Sequence, residues 1–249
     1  MASVRPPAVA GTFYPDDPDE LSALISRLLD SAPPRQPAKA IVAPHAGYVY
    51  SGPIAASAFR CLSSGVRRVV LLGPSHFALL RGVAAPRAGE FETPLGRVAL
   101  EVPDDLPRND APHAREHSLE VEVPFLQVAL GDFTLVPLAV GDAEPLRVAE
   151  VLAALWDGPK TAIVVSSDLS HYLPYEEARR MDADTARRIE QLVPVAPGAA
   201  CGAAPLNGLL FEASRRGMTC ERLDLRSSGD TAGDRSRVVG YGAFALREA

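Results

Sequence analysis

Short apolar runs alternate along the chain with stretches in which apolar residues recur at helical spacing. The apolar runs are rich in β-branched residues and bounded by Gly, Pro and Ser, which is typical of buried strands; they cover 39–43, 67–72, 133–138, 162–165 and 237–246. Helical spacing covers 16–30, 53–63, 118–130, 144–156, 175–193 and 207–216. This alternation predicts one α/β domain over residues 1–249, with a largely parallel or mixed central sheet and helices on both faces.

Three of the predicted strands lead through a small-residue turn into a histidine. His45 follows the first run, His76 follows the second, and His171 follows the run at 162–165. Ligands of open α/β sheets bind outside the carboxyl ends of the strands. We therefore expect these three imidazoles to meet in one cleft, where they can bind a metal ion or move protons.

Two further histidines and one cysteine are candidates for chemistry. His113 and His117 are four residues apart, but the sequence between them is not that of a HExxH zinc helix and prolines surround it. We expect His113 to be a dispensable loop residue and His117, just before a predicted helix, to enter the cleft. Cys201 precedes a glycine and is either a reactive thiol or a buried structural cysteine.

Composition and charge narrow the function classes. The 249 residues carry a formal net charge of −6, and the arginines are scattered, so we expect no nucleic-acid partner. No segment has the roughly 18 consecutive apolar residues that a membrane span needs, and the first residues do not resemble a signal peptide. The three cysteines are an odd number without CxxC spacing, which favours a reducing, cytoplasmic location.

Six motifs carry a resemblance to a known family, the MEMO family. In chain order they are PPAVAGTFYP at 6–15, PHAGYVYSG at 44–52, GPSH at 73–76, EHSLE at 116–120, SSDLSH at 166–171 and CG at 201–202. The chain resembles the prokaryotic members, known as protein B of the AmmeMemoRadiSam system, over nearly its whole length. The resemblance implies a fold similar to the class III extradiol ring-cleaving dioxygenases, the LigB-like group.

The resemblance also implies a metal centre. His45 and His76 match the two metal histidines, and Fe²⁺ is the metal expected in such a site. The third ligand is expected from the C-terminal loop, where animal members have a cysteine. The nearest residue here is Asp230, with Asp234 and Asp168 as the competing candidates. Because this chain has no cysteine at that place, the resemblance favours a two-histidine, one-carboxylate iron site over thiolate-bound copper. Copper and zinc remain alternatives.

Further site roles follow from the same resemblance. Asp168 and His171 match the pair beside the metal. We expect His171 to act as acid and base, with Asp168 orienting it or sharing its proton transfer; Asp168 is also a candidate acceptor for the neutral metal histidines. The substrate cleft is expected to include aromatic and polar residues from several motifs, namely Phe13, Tyr14, Tyr50, His117 and Cys201. AMMECR1-like and radical SAM proteins are the expected partners.

Three hypotheses of function remain open on this basis. The first is an iron-dependent, dioxygenase-like oxidoreductase. The second is a non-catalytic module that binds a peptide or small molecule in the same cleft, to which Tyr48 would add a further ring. The third is a zinc-dependent hydrolase, because histidine and carboxylate ligands also bind zinc with an open position.

Overall fold

Four parallel strands form the middle of the main sheet in the computed structural model, which describes residues 3–248. Among these residues the main sheet has eight strands in the order β10-β11-β2-β8-β3-β7-β4, with β9 paired to β11. The strands are β2 Ala40–Ala43, β3 Arg68–Pro74, β4 Val83–Ala84, β7 Thr134–Val140, β8 Thr161–Ser166, β9 His171–Leu173, β10 Thr219–Ser227 and β11 Val238–Arg247. The pairs β2–β8, β8–β3 and β3–β7 are parallel, and the outer pairs are antiparallel.

Helices cover both faces of this sheet. They are α1 Pro18–Ser31, α2 Tyr48–Phe59, α3 Ala111–Ala114, α4 Glu122–Leu130, α5 Pro145–Leu155, α6 Tyr175–Glu190, α7 Ala203–Arg215 and α8 Ser228–Thr231. A small second sheet, β1 Val4–Arg5, β5 Glu90–Thr93 and β6 Gly96–Ala99, packs at one side. The predicted single-domain α/β fold with a mixed sheet and helices on both faces is confirmed.

Two hydrophobic cores lie on opposite faces of the sheet, because side chains alternate along each strand. In β2, Ile41 and Ala43 face the core that includes α1, α2 and α4. Ala40 and Val42 face the core that includes α5, α6 and α7. The central strands are therefore buried on both sides, and this burial produced the continuous apolar runs in the sequence.

The structure differs from the predicted elements at several places, among them helix α2 and strand β10. Helix α2 begins at Tyr48, before the expected start near Pro53, because the Tyr48 N–H donates to the Phe13 carbonyl at 2.8 Å and the Tyr48 ring packs on Phe125. Strand β10 was not predicted at all. It is a sheet edge with mostly half-exposed polar residues, so its sequence lacks a strong apolar alternation.

Within residues 3–248, none of the helices combines the length and the hydropathy needed to cross a membrane.

Candidate metal centre

His45 is fixed just beyond the carboxyl end of β2 by contacts to the neighbouring strand β8. Its backbone N–H donates to Asp168 Oδ1 at 2.9 Å, and its ring Nδ1 lies 2.7 Å from Ser166 Oγ. The side chain is buried, and burial together with the nearby His117 and His76 lowers its pKa well below the usual range. His45 is therefore neutral, as a metal-binding imidazole must be.

His76 follows β3 and is oriented by Glu116. The carboxylate of Glu116 accepts from the His76 backbone N–H at 2.6 Å, from His76 Nδ1 at 2.8 Å and from the Ser118 N–H at 3.0 Å. Although burial raises it, these hydrogen bonds lower the pKa of Glu116 to about 2. Because Nδ1 donates to this carboxylate, Nε2 of His76 is left as the nitrogen that can bind a metal.

Cys201 completes this group from the turn before α7. Its backbone N–H donates to the Asp168 carbonyl at 3.2 Å, and the Asp168 N–H donates to Sγ at 3.2 Å. The next residue, Gly202, packs so closely on β8 that a Cβ there would lie 2.7 Å from Ser167 Cβ and 2.8 Å from the Ser166 carbonyl oxygen. Glycine is therefore required for the turn to bring Cys201 against the strand end.

The donor atoms of His45, His76 and Cys201 are spaced as ligands of one ion. They all lie within 4.8 Å of one another, and His45 Nε2 is 3.3 Å from Cys201 Sγ. Metal–sulfur and metal–nitrogen bonds of about 2.3 and 2.0 Å place S and N about 3.5 Å apart in a tetrahedral site. Burial raises the pKa of the Cys201 thiol to about 12, so a bound cation would have to stabilise the thiolate.

A second group with suitable spacing shares His76 with the first. It consists of His76, Glu116 and His117, again with donor atoms within 4.8 Å. The His117 ring stacks on His76 with a centroid distance of 4.8 Å and also contacts Phe13. Because Glu116 already accepts three N–H donors, its oxygens are occupied in orienting His76, and the first group is the stronger metal candidate.

A cavity of about 630 Å³ opens next to these residues. Its lining includes His117, Asp168 and His171, the predicted cleft residues Phe13 and Tyr50, and residues of the C-terminal loop, Ala232, Gly233, Asp234 and Arg237. Burial lowers the pKa values of both His117 and His171. Two neutral imidazoles and two carboxyl groups, those of Asp168 and Asp234, thus line a space large enough for a small molecule.

Asp168 and His171 are not hydrogen-bonded as expected. His171 Nδ1 donates to the Leu169 carbonyl at 2.9 Å, whereas Asp168 accepts from the backbone N–H of His45. Burial raises the pKa of Asp168 to about 7 in spite of its hydrogen bonds from backbone N–H groups. The expected pairing is thus corrected: Leu169 fixes the His171 tautomer, and Asp168 fixes the turn that carries His45.

The structure does not bring Asp230 to His45 and His76. Asp230 lies in α8, where its Oδ2 accepts from the N–H and Oγ of Ser227 at 2.9 Å in a capping box. Its other oxygen accepts from the Tyr175 hydroxyl. Asp234 lines the cavity but accepts from Ser236, and neither aspartate belongs to a metal-capable group among residues 3–248. The structure thus places the thiol of Cys201, and not a carboxylate of the C-terminal loop, beside His45 and His76.

Three other expectations are also corrected. Tyr14 does not line the cavity: it is buried in the core, and its hydroxyl donates to Glu120 at 2.6 Å. Tyr48 is likewise buried, with its hydroxyl on the Val121 carbonyl. His113 is not a loop residue: it lies in α3, is only 2% exposed, and its Nε2 lies 2.9 Å from the Ala84 carbonyl oxygen, while its dispensability stays a prediction.

Sequence reasoning missed the residues that orient the ligands. Glu116 stands two positions before Ser118 in the EHSLE motif, and its position next to His117 was the available signal. Ser166 is the last residue of β8 and the first of the SSDLSH motif, but the motif does not show that its hydroxyl meets the His45 ring. Cys201 was placed in the cleft, but its role as a metal-ligand candidate depends on a turn that only the tertiary structure brings to β8.

The fold and these side chains define an α/β protein with a candidate two-histidine, one-cysteine metal centre at the carboxyl ends of parallel strands. Comparison with known proteins gives the family. The model of the family described as "Memo-like protein" matches residues 5–245, and this chain belongs to that family.

Relatives cover nearly the whole chain. A MEMO1 family protein of Methanopyrus kandleri is 34% identical over 285 residues, covering 98% of this chain and 99% of its own. A MEMO1 family protein of Aquifex aeolicus is 37% identical over 262 residues, covering 96% and 97%. An uncharacterized Escherichia coli K12 protein of known structure is 15% identical with a TM-score of 0.47, covering 83% of this chain and 99% of its own. That similarity is too low to support an argument.

Proposed function

We propose that this protein binds one transition-metal ion through His45, His76 and Cys201, and uses it in oxidoreductase chemistry on a small molecule held in the adjacent cavity. The observation that carries the proposal is the spacing of these three donor atoms, all within 4.8 Å of one another. The orientation of both imidazoles supports it, because each ring uses Nδ1 in a hydrogen bond and leaves Nε2 for the ion.

Fe²⁺ is the metal of this proposal, and copper and zinc are its competitors. Imidazole suits all three ions, whereas thiolate increases the preference for softer ions such as Cu⁺ and zinc. A bound iron or copper ion would supply one-electron and O₂ chemistry and an open position for substrate. A zinc ion would supply the hydrolytic chemistry of the competing hypothesis instead.

The protein's own residues have distinct parts in this proposal. His171 is neutral at neutral pH because burial lowers its pKa, and its Nδ1 is held by the Leu169 carbonyl. Its Nε2 is therefore the free acceptor for a proton from a substrate hydroxyl. Phe13 and Tyr50 line the space in which the substrate would lie, and His117 closes it on the side of His76.

Non-catalytic ligand binding is the second candidate function. The cavity walls carry Phe13, Tyr50, Tyr172 and Tyr241 together with one arginine, Arg237, which lies over the Tyr172 ring at 5.2 Å. Aromatic rings and a cation suit a small anionic or aromatic ligand. Interaction with AMMECR1-like and radical SAM proteins is the part of the proposal that rests on the family resemblance alone.

Anaerobic purification with metal analysis tests the proposal, followed by O₂ uptake with a panel of catechols. We expect one iron per chain and substrate-dependent O₂ uptake. The matched variant is His171→Gln, which leaves all three donors in place and should keep the metal but lose the turnover. A chain that binds no ion contradicts the proposal, zinc with hydrolysis favours the hydrolase, and ligand binding without turnover favours the binding module.

A further inference from the structure

Glu122 is a buried carboxyl group that the proposed metal chemistry does not use. Its side chain is fully buried at the start of α4. One oxygen, Oε1, lies 2.7 Å from Ser166 Oγ, and the other, Oε2, has no hydrogen-bond partner among the described residues. An ionised carboxylate with a single hydrogen bond in such a place would be strongly destabilising.

Ser166 has three polar neighbours at the same distance. Its Oγ lies 2.7 Å from the Ser118 carbonyl oxygen, 2.7 Å from His45 Nδ1 and 2.7 Å from Glu122 Oε1. A serine hydroxyl has one proton to donate and two lone pairs to accept with. The Ser118 carbonyl oxygen can only accept a hydrogen bond. The Ser166 hydroxyl must therefore donate its one proton to this oxygen for the 2.7 Å contact to be a hydrogen bond.

This assignment fixes the protons on the other two neighbours. With its own proton on the Ser118 carbonyl, Ser166 Oγ can only accept from His45 and from Glu122. His45 must then carry its proton on Nδ1, and Glu122 must be a carboxylic acid whose O–H donates to Ser166. Nε2 of His45 keeps its lone pair and faces Cys201 Sγ at 3.3 Å.

We propose that Glu122 is a neutral carboxylic acid and a positioning residue. Its O–H donates to Ser166 Oγ, so that the Ser166 hydroxyl donates to the Ser118 carbonyl and accepts from His45 Nδ1. This arrangement helps to hold His45 with Nε2 free for a metal ion. The last step rests on the proposed metal site, whereas the protonation of Glu122 does not.

Electrostatics supports the same proton assignment. Burial raises the pKa of Glu122 well above its usual range, and the charge of nearby Asp168 adds to this effect. The contrast with Glu116 is informative, because that carboxylate accepts three N–H donors and is ionised. Two buried glutamates thus serve the two histidines in opposite protonation states.

Infrared difference spectroscopy of the metal-free protein tests the proton. Spectra are recorded above pH 7, where Asp168, with its pKa of about 7, is largely ionised. We expect a C=O stretch of a protonated carboxyl group that disappears in Glu122→Gln. The control is Asp182→Asn, because burial also raises the pKa of Asp182. A spectrum unchanged by Glu122→Gln overturns the proposal.

Zn²⁺ affinity and the His45 tautomer test the positioning role. Glu122→Gln keeps a neutral donor, so we expect Zn²⁺ affinity within about threefold of wild type, while Glu122→Met should bind about tenfold more weakly and Ser166→Ala about 10- to 100-fold more weakly. In ¹⁵N-histidine NMR of the metal-free protein, His45 should carry its proton on Nδ1 in wild type and Glu122→Gln, and lose this preference in Ser166→Ala.

The outcomes separate the two proposals. Equal Zn²⁺ affinity and an unchanged His45 tautomer in all three variants would overturn the positioning role. If wild type binds no Zn²⁺ while the infrared band belongs to Glu122 and the NMR shows the Nδ1 tautomer, the proposed metal function fails and the proton assignment stands.

Discussion

The carboxyl ends of β2, β3 and β8 and the segment between β10 and β11 both border the cleft, but they are built differently. At the strand ends, His45 and His76 are held by Ser166 and Glu116 through hydrogen bonds of 2.7 and 2.8 Å. In the other segment, Asp230 is occupied in capping its own short helix. A side chain becomes a ligand candidate where buried strands fix its backbone and a neighbour fixes its ring.

Removal of a strand-end histidine should have the largest effect. His45→Ala and His76→Ala each delete one of three donors, so we expect Zn²⁺ affinity to fall more than about 100-fold, beyond the range for residues that only orient ligands. Isothermal titration calorimetry measures this, with Asp234→Ala from the C-terminal loop as the control. Wild-type Zn²⁺ affinity in either variant would show that the substituted histidine is not a metal ligand.

Loss of the carboxylate that orients His76 should have the next largest effect. Glu116→Gln removes the charge that accepts from His76 Nδ1, and we expect Zn²⁺ affinity to fall about 10- to 100-fold. Glu101→Gln is the matched control, because its side chain is 61% exposed and its partners among residues 3–248 are Arg68 and Thr134. Equal affinities in the two variants would mean that Glu116 does not support the ligand.

The next prediction concerns His113, a buried histidine that is not among the candidate metal ligands, and its effect on the pH dependence of stability. Burial lowers its pKa from 6.5 to about 4, so the unfolded chain binds the proton first as the pH falls below 6.5. The folded state should lose about 1.6 kcal/mol from this residue between pH 6.5 and 5, because the slope approaches 1.36 kcal/mol per pH unit only once the unfolded histidine is fully protonated. Denaturant unfolding of wild type and His113→Gln measures it: the wild-type curve should fall more steeply, and parallel curves would contradict the assignment.

The smallest effect is expected in the C-terminal segment. Ser227→Ala removes the capping box of α8, for which we expect a loss of about 1 kcal/mol in the free energy of unfolding and no change in Zn²⁺ affinity. Thermal unfolding and calorimetry on the same samples check both. A large loss of metal affinity would show that this segment supports the site.

The sequence was sufficient to predict the two candidate ligands at the strand ends, but not the third one. His45 and His76 follow continuous apolar runs, whose burial on both faces can be recognised from residue type alone. The family resemblance pointed to a C-terminal residue, but order along the chain does not determine distance. Cys201 reaches the cluster because Gly202 packs against β8, and that contact is long-range.

The residues that orient the candidate ligands could not be predicted from the sequence either. Glu116, Ser166 and Glu122 act through hydrogen bonds between segments about 40 residues or more apart. Glu116 and Ser166 stand in family motifs, but a motif does not show which side chains meet across such separations. Tyr14 shows the converse. It stands in a family motif beside Phe13, yet its ring faces the core and only Phe13 reaches the cavity.

Metal stoichiometry and affinity in a matched pair of variants, Cys201→Ser and Asp230→Asn, test most directly whether the third ligand comes from the strand-end cluster or from the segment between β10 and β11. Both remove a candidate third ligand with little change in side-chain size. We predict that Cys201→Ser loses more than about 100-fold in affinity, beyond the range for outer partners, while Asp230→Asn binds one ion per chain as tightly as wild type. The reverse result would place the third ligand in the C-terminal segment and contradict the account.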